Sequence, residues 1–388
     1  MSGEAGARPP VLVSQFVNCL GIGGTERQLV EHVRRLDGEL FSVHMACLQK
    51  VGEFLPVVQG LGIDPAEYSL RGTLMQPNTA LQVYRLARRL SNEGARLLHC
   101  HDFYSNIVGA AAARLARIPY IISRRDMGVW IGPARARLLA MVTRTAPRVL
   151  CNAYAIRDQI VNEEGVAPER VTVVHNGLDL GRFDDESAKD PIDPPDFLNN
   201  HPTVALVANM KHAVKGHSEF LSAAAAVVRA VPEARFLLVG DGSLRRSLEE
   251  QALSLGIAHA VCFAGRRTDI PSVLARCHIA VCASHAEGLS NAVMEGMAAR
   301  LPVVATGVGG NMELVRDGRS GFIVRKGDIT GLAQRMTELI RQPLLARRMG
   351  IVGRRRIEDE YTVSHMAERM DALYCEMLNV RRELRRAA

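Results

Sequence analysis

The chain has 388 residues, of which 47% are hydrophobic and 23% charged, and its net charge of +7 rests largely on arginine. That is length enough for two domains of ordinary size, and the balance is that of a globular chain. No apolar run reaches the roughly 18 residues of a membrane span, and the opening MSGEAGARPPVLVSQFV reads as the approach to a strand, not as a secretory leader.

From there, strand-like runs alternate with amphipathic helical stretches. The first block holds VLVSQFV, FSVHMACL, RLLHCH, YIIS, RVLCN and VTVVH. The acidic, proline-rich segment DDESAKDPIDPPDFLNNHP reads as a linker. Alternation then restarts with TVALVAN, RFLLVGD, AVCFAG, HIAVCAS, PVVAT and GFIV. Apolar strands of the buried type, alternating with helices, predict an α/β protein with parallel sheets covered by helices. Two blocks of like size predict two doubly wound, Rossmann-like domains facing a cleft. The boundaries read as 1–185 for the first domain, 186–202 for the linker, 203–360 for the second domain and 361–388 for a C-terminal helix. Ligands of such sheets bind beyond the carboxyl ends of the strands.

The eight cysteines (Cys19, Cys47, Cys100, Cys151, Cys262, Cys277, Cys282, Cys375) form no C-x-x-C and mostly sit in apolar runs. This predicts buried, reduced thiols and a cytoplasmic protein. Arg114, Arg117, Arg124, Arg125, Arg135, Arg137, Arg144 and Arg148 crowd one segment, and Arg381, Arg382, Arg385 and Arg386 crowd the C-terminus. Such patches suit anionic ligands or an anionic membrane face. Nucleic acid is disfavoured as a partner, because no binding motif is visible and aromatic residues are few. In GVWIGPARARLLAMVTRTAPRV the single tryptophan, Trp130, precedes arginines interleaved with Leu138, Leu139, Met141 and Val142. That pattern is either a helix packed on the first sheet or one lying on a membrane surface.

The stretch SHAEGLSNAVMEGMAARLPVVAT places Glu287 and Glu295 eight positions apart among small and apolar residues. It reads as a strand end, the loop HAEGL and a helix with Ser290 at its N-cap. The start of such a helix suits phosphate. Glu295 lies more than a turn further in, where an ionised carboxylate is costly unless it receives hydrogen bonds. Sugar hydroxyls are suitable donors; an arginine such as Arg300 or Arg124 is the alternative partner. Near the N-terminus, NCLGIGGTERQLVEH tests as a dinucleotide fingerprint and fails, because Glu26 stands where the third glycine belongs. His99 and His101 form H-x-H at a strand end, but no third metal ligand stands out.

Taken in order, GGTERQL, VTVVHNGLD, LLVGDGSLR, CFAGRRTDIP, EGLSNAVMEGMA, LPVVATGVGGNMELV and DGRSGFIV resemble the retaining glycosyltransferases of family 4, which have the GT-B fold. The resemblance runs from Val11 to the final helix, and it implies that this helix crosses back to the first domain. It also implies roles for single residues. Glu295 would bind the ribose hydroxyls of a nucleotide sugar and Glu287 the transferred sugar, with backbone groups of Gly288, Leu289 and Ser290 on the sugar or diphosphate. Lys215, followed by Gly216, matches the family's K-G and would neutralise the leaving diphosphate. The usual arginine ahead of it is replaced by Asn209, with Lys211 two positions on as a substitute cation. His101 would lie beside the transferred sugar, while His99 reads as a core residue. Gly23 and Gly24 would approach the diphosphate, and Thr25 would help start the helix on the acceptor side. Arg124 and Arg125 would either reach an anionic acceptor or form ion pairs. Arg266 would lie near the nucleotide base.

The implied activity is a retaining, metal-independent transfer of a hexosyl or N-acetylhexosaminyl group. The donor would be a UDP-sugar in preference to a GDP-sugar, and the acceptor a glycan or polyprenyl- or lipid-linked hydroxyl. No cofactor or metal is expected, and no D-x-D occurs. The location would be cytoplasmic or peripheral on the cytoplasmic membrane face. A sugar-nucleotide epimerase of the same fold and an inactive nucleotide-sugar-binding scaffold remain open as alternatives.

Overall fold

A computed structural model describes residues 9–380 except Trp130, Pro194, Phe197 and Asn199. Trp130, Arg381, Arg382, Arg385 and Arg386, singled out above, therefore lie outside the described residues. Two compact units divide the chain. One comprises residues 1–152, 156–177 and 363–388; the other comprises 153–155 and 178–362.

The first unit is built on β1 (Val11–Val17), β2 (Phe41–Cys47), β3 (Ala66–Glu67), β4 (Leu97–Cys100), β5 (Tyr120–Arg124), β6 (Arg148–Cys151) and β7 (Val171–Val173). All pair in parallel, in the order β3-β2-β1-β4-β5-β6-β7. Parallel strands covered on both faces must be apolar throughout, and β1 shows why: Val13, Phe16 and Val17 are fully buried, yet so is Gln15. Only β3 had no signal in the sequence; two residues are too few to show alternation.

The second unit holds β8 (Thr203–Val207), β9 (Arg235–Val239), β10 (Val261–Phe263), β11 (Ile279–Cys282), β12 (Val303–Thr306) and β13 (Gly321–Val324). These too are parallel, in the order β10-β9-β8-β11-β12-β13. In each sheet the winding reverses once, between β1 and β4 and between β8 and β11. Such switch points open a crevice at the carboxyl ends of the strands.

The chain passes between the units at Gly177–Leu178, ahead of the expected boundary at 185. The reason is the helix Leu180–Ser187. Its Phe183 is buried, and its Asp184 takes a two-pronged ion pair at 2.7 Å from Arg354 of the second unit. The acidic, proline-rich segment is tied to the same unit. Asp190 pairs with Arg276 at 2.7 Å, and the Ile192 N–H donates to Asp269 at 2.7 Å.

The last helix, Val363–Leu378, returns to the first unit. Met366, Met370, Leu373, Tyr374 and Leu378 recur at helical spacing and enter one core with Val13, Phe41, Leu97, Ile121 and Leu150. Each such side chain contributes roughly 1.5–3 kcal/mol by leaving water. All eight cysteines are free thiols, six of them buried. Burial pushes the thiols of Cys47, Cys151 and Cys277 up to about 12. No helix among the described residues is long and apolar enough to cross a membrane.

Candidate functional site

In the second unit the loops after β8, β11 and β12 lie together. The loop after β8 turns at Gly216, whose φ of +69° favours glycine and where a Cβ would collide with the carbonyl of Ala283. The loop is thus pressed against the end of β11, and the His285 N–H donates to the Val214 carbonyl at 2.7 Å. This places Lys215 Nζ 2.7 Å from Glu287 Oε1. Ser284 Oγ donates to the same carboxylate oxygen at 2.6 Å, and Thr306 Oγ1 holds the Ser284 carbonyl at 2.5 Å. From the β12 side, Gly309 at φ +50° packs where a Cβ would strike the Glu287 carbonyl, and the Gly310 N–H donates to the Gly288 carbonyl at 2.8 Å. Glu287 is therefore fixed by three separate stretches of chain.

Ser290 caps the helix Asn291–Ala298, its Oγ accepting from the Val293 N–H at 3.4 Å. Val293, Met294 and Met297 are buried, which explains the helix without a polar face. Glu295, its fifth residue, is only 6% exposed. Leu289 and Ser290 are buried beside it. Of the two arginines considered as partners of Glu295, Arg124 is engaged elsewhere, as described below. Asn209 and Lys211 stand exposed on the β8 loop, the Lys211 N–H donating to Asn209 Oδ1 at 3.3 Å. Arg266 is exposed after β10, while its neighbour Arg267 pairs with Asp269 at 2.6 Å.

In the first unit, Gly23 precedes the helix Gly24–Arg35 in extended conformation and no side chain caps that helix. Thr25 is the second helical residue, in the first turn, and the Glu26 carboxylate folds back over the helix start, where a Cβ on Gly23 would collide with it and where it accepts from its own N–H. His101 follows β4 and is 2% exposed. Its Nε2 lies 2.7 Å from Gln15 Oε1 on the neighbouring β1. Burial, reinforced by the charge of Arg125 and then His32, drives its pKa well below the ordinary imidazole value. It is a neutral ring at physiological pH. Asp102 caps the helix Phe103–Ala116 in a capping box with Ser105 and also accepts from the Asn18 N–H at 2.6 Å, tying the ends of β4 and β1.

Arg124 takes the ion-pair alternative: its two terminal nitrogens reach Glu164 at 2.9 and 2.8 Å and it is buried. Arg125 is half-buried, donates to Asn176 Oδ1 at 3.1 Å, and is lowered to about 10 by loss of water. Both ring nitrogens of His99 are taken, one at 2.6 Å from Tyr374 Oη and the other at 2.8 Å from Ser123 Oγ. His99 is thus the core residue it was read as. Among the described residues no group of three or more His, Cys, Asp and Glu side chains is placed to hold a metal ion.

Sequence reasoning missed Ser284, Gln15, Asp102 and Tyr374. Ser284, three residues before Glu287, and Gln15, a polar residue inside an apolar strand, each carried a weak signal. Tyr374 carried none, because its partners are far away in the chain.

Comparison with known proteins decides the family. Residues 22–182 match the model described as Glycosyltransferase Family 4, and residues 201–342 match the one described as Glycosyl transferases group 1. The chain belongs to glycosyltransferase family 4. It is an enzyme that transfers glycosyl groups, and its two parallel-sheet units are those of the GT-B fold. A putative glycosyltransferase of Bacillus subtilis, EpsD, is 34% identical over 157 residues, which is 40% of this chain and 41% of that one. The UDP-Gal:alpha-D-GlcNAc-diphosphoundecaprenol alpha-1,3-galactosyltransferase of Escherichia coli is 21% identical over 92% of this chain and 95% of its own. Among solved structures, Anabaena HepE in complex with UDP-glucose superposes with a TM-score of 0.80 at 22% identity, covering 94% of this chain and 99% of that one. At that identity the likeness shows the fold.

Proposed function

We propose that this glycosyltransferase takes its sugar, a hexosyl or N-acetylhexosaminyl group, from a UDP-sugar. It retains the anomeric configuration, needs no metal, and delivers the sugar to a hydroxyl of a glycan or a polyprenyl- or lipid-linked acceptor. The work would be polysaccharide or glycoconjugate synthesis on the cytoplasmic side. The observation that carries the reading is the Lys215–Glu287 pair, 2.7 Å apart at the β8/β11 switch point beside the capped helix of Glu295. The UDP-glucose complex of the neighbour and the UDP-Gal and diphosphoundecaprenol in the relative's name support the donor and the acceptor class.

In this reading Glu295 accepts hydrogen bonds from the ribose hydroxyls, and Glu287 from the transferred sugar. The Lys215 ammonium and the start of the Glu295 helix face the diphosphate, with the Gly309–Gly310 loop holding the Gly288 carbonyl behind them. Negative charge grows there as the bond from the anomeric carbon to the phosphate oxygen breaks, so fixed donors lower the barrier. The acceptor hydroxyl attacks on the same face, and the departing phosphate oxygen takes its proton. His101, neutral and buried, offers a ring nitrogen to a sugar hydroxyl. Lys211, Asn209, Arg266, Gly23 and Gly24 complete the donor side; Thr25 and Arg125 serve the acceptor.

The helix Pro133–Thr145 packs Leu139 and Val142 inward and exposes Arg135, Arg137, Arg144 and Met141. That supports contact with an anionic membrane, and failure to float with anionic vesicles at low salt excludes it. The main test is a thermal-shift and turnover screen of UDP- and GDP-sugars in excess chelator, with the product anomer read by NMR. Stabilisation by a UDP-sugar and an unchanged anomer are expected. A chelator-sensitive rate, or an inverted product, overturns the corresponding part.

A further inference from the structure

The buried polar groups of the first unit form one directed chain of hydrogen bonds. Gln15 Nε2 donates to Tyr374 Oη at 3.0 Å. The tyrosine proton then finds its acceptor in His99 Nδ1 at 2.6 Å, since the other hydrogen-bond partner of the hydroxyl is itself a donor, and this leaves His99 Nε2–H for Ser123 Oγ at 2.8 Å. The other end of Gln15 is a carbonyl oxygen, which can only accept, so the nitrogen 2.7 Å away, His101 Nε2, must carry the proton. His101 Nδ1 is then the bare nitrogen. It is buried and has no partner among the described residues. Gln15, His99 and Tyr374 are fully buried, and Ser123 and His101 nearly so. Water does not compete for these bonds, and an amide held at both ends does not turn over.

We infer that Gln15 and Tyr374 are positioning residues for His101: they fix its neutral tautomer with Nδ1 as the hydrogen-bond acceptor offered to substrate. Tyr374 comes from the last helix, 275 positions beyond His99 in the chain. The edge-on packing of its ring against His32 (5.4 Å) and Phe41 (5.8 Å) sets the place of its hydroxyl. The consequence is functional: the final helix completes the chemistry of the first unit, not only its core. A bare Nδ1 accepts from a hydroxyl; it cannot donate to a phosphate or a carbonyl oxygen. The ligand class for this nitrogen is therefore a sugar hydroxyl. This rests on the reading of His101 as a substrate-contacting residue.

The test uses the full chain with Gln15→Met, which keeps the side-chain length without hydrogen bonding, and Tyr374→Phe, which keeps the ring. Imidazole ¹⁵N spectra read the tautomer without any substrate. A single Nε2–H form of His101 is expected in the wild type and a mixed or reversed population in Gln15→Met. In parallel, kcat/KM is measured with the best donor of a panel of UDP-glucose, UDP-galactose and UDP-N-acetylglucosamine. Gln15→Met is expected to lose about tenfold and Tyr374→Phe about threefold, the worth of one neutral hydrogen bond. The Gln15→Met/His101→Ala double variant should be no worse than His101→Ala alone, since a positioning residue has nothing left to position. A merely structural glutamine would lower Tm and leave the tautomer and kcat/KM in place. An unchanged tautomer, or losses that add in the double variant, overturns the inference. If His101→Ala itself turns over at the wild-type rate, the substrate role of His101 falls and the inference falls with it. If His101→Ala is impaired while Gln15→Met is not, only the positioning role fails.

Discussion

Two residues occupy equivalent places in the two sheets. His101 follows β4, the strand beside β1; Glu287 follows β11, the strand beside β8. His101 is buried and neutral, and its ring is held by a single amide whose other end is tied to the last helix. Glu287 remains partly open and is gripped by a cation, a hydroxyl and two glycine loops drawn from neighbouring strands. The first unit specifies a hydrogen-bonding pattern through burial, which makes charged forms costly. The second sets opposite charges, Lys215 and Glu287, against each other at a partly open rim. One fold thus supplies a buried, neutral hydrogen-bond chain in one unit and a partly open ion pair in the other.

The sharpest way to break this contrast is in the first unit. Arg124→Ala removes a buried guanidinium and both hydrogen bonds it gives the half-buried Glu164, and should cost about 3 kcal/mol of stability, two charge-assisted bonds at about 1.5 kcal/mol each. Chemical denaturation checks the loss; a normal stability with a raised acceptor KM would return Arg124 to the substrate. Next, Lys215→Ala in the second unit should lower kcat by about 10²–10³, the effect of removing one donor to developing charge. Its UDP affinity should change far less, and steady-state kinetics with calorimetry separates the two. Equal losses in both would mean that Lys215 serves binding alone. Glu295→Ala should weaken UDP binding by roughly 1.5–3 kcal/mol, the range for hydrogen bonds to a charged group. Unchanged calorimetric affinity removes Glu295 from the ribose site.

The smallest expected effect, per group, is with pH. Burial lowers His32 to about 3 and puts His99 and His101 well below the ordinary value. Below about 6.5 the unfolded chain binds protons on these rings that the folded unit does not, so stability falls as pH falls. Between pH 7 and 6 each ring should cost about 0.7 kcal/mol. In the second unit burial also lowers His217 and His278, but not as far, and His278 is exposed. Hydrogen exchange should therefore show β1, β4 and β5 loosening before β8 and β11 on mild acidification. Equal protection in both sheets would mean that the histidines are not buried neutral.

Much of this was legible because parallel strands are buried on both faces and must be written as apolar runs. That is why RVLC and HIAVC could be placed without a structure, whereas Ala66–Glu67 could not. Ser290 could be read as a cap and Glu295 as a buried carboxylate because helix ends and interiors obey local rules. Thr25 lies in the first turn of its helix, with Gly23 at the cap, a local arrangement that the glycine-rich run GIGGT already suggests. The boundary at 185 was misplaced because an acidic, proline-rich composition looks like a linker until Asp184 meets Arg354.

The sequence by itself determined the α/β class, the two blocks, the family and the pair Glu287 and Glu295, since each is carried by residues within one short window or by windows in fixed order. The tertiary structure alone decided which arginine is spent on Glu164, that Lys215 meets Glu287, and which nitrogen of His101 holds the proton. Those are contacts between residues 40, 72 and 86 positions apart in the chain. Only the order of strands within a sheet brings such residues together, and no local pattern records that order.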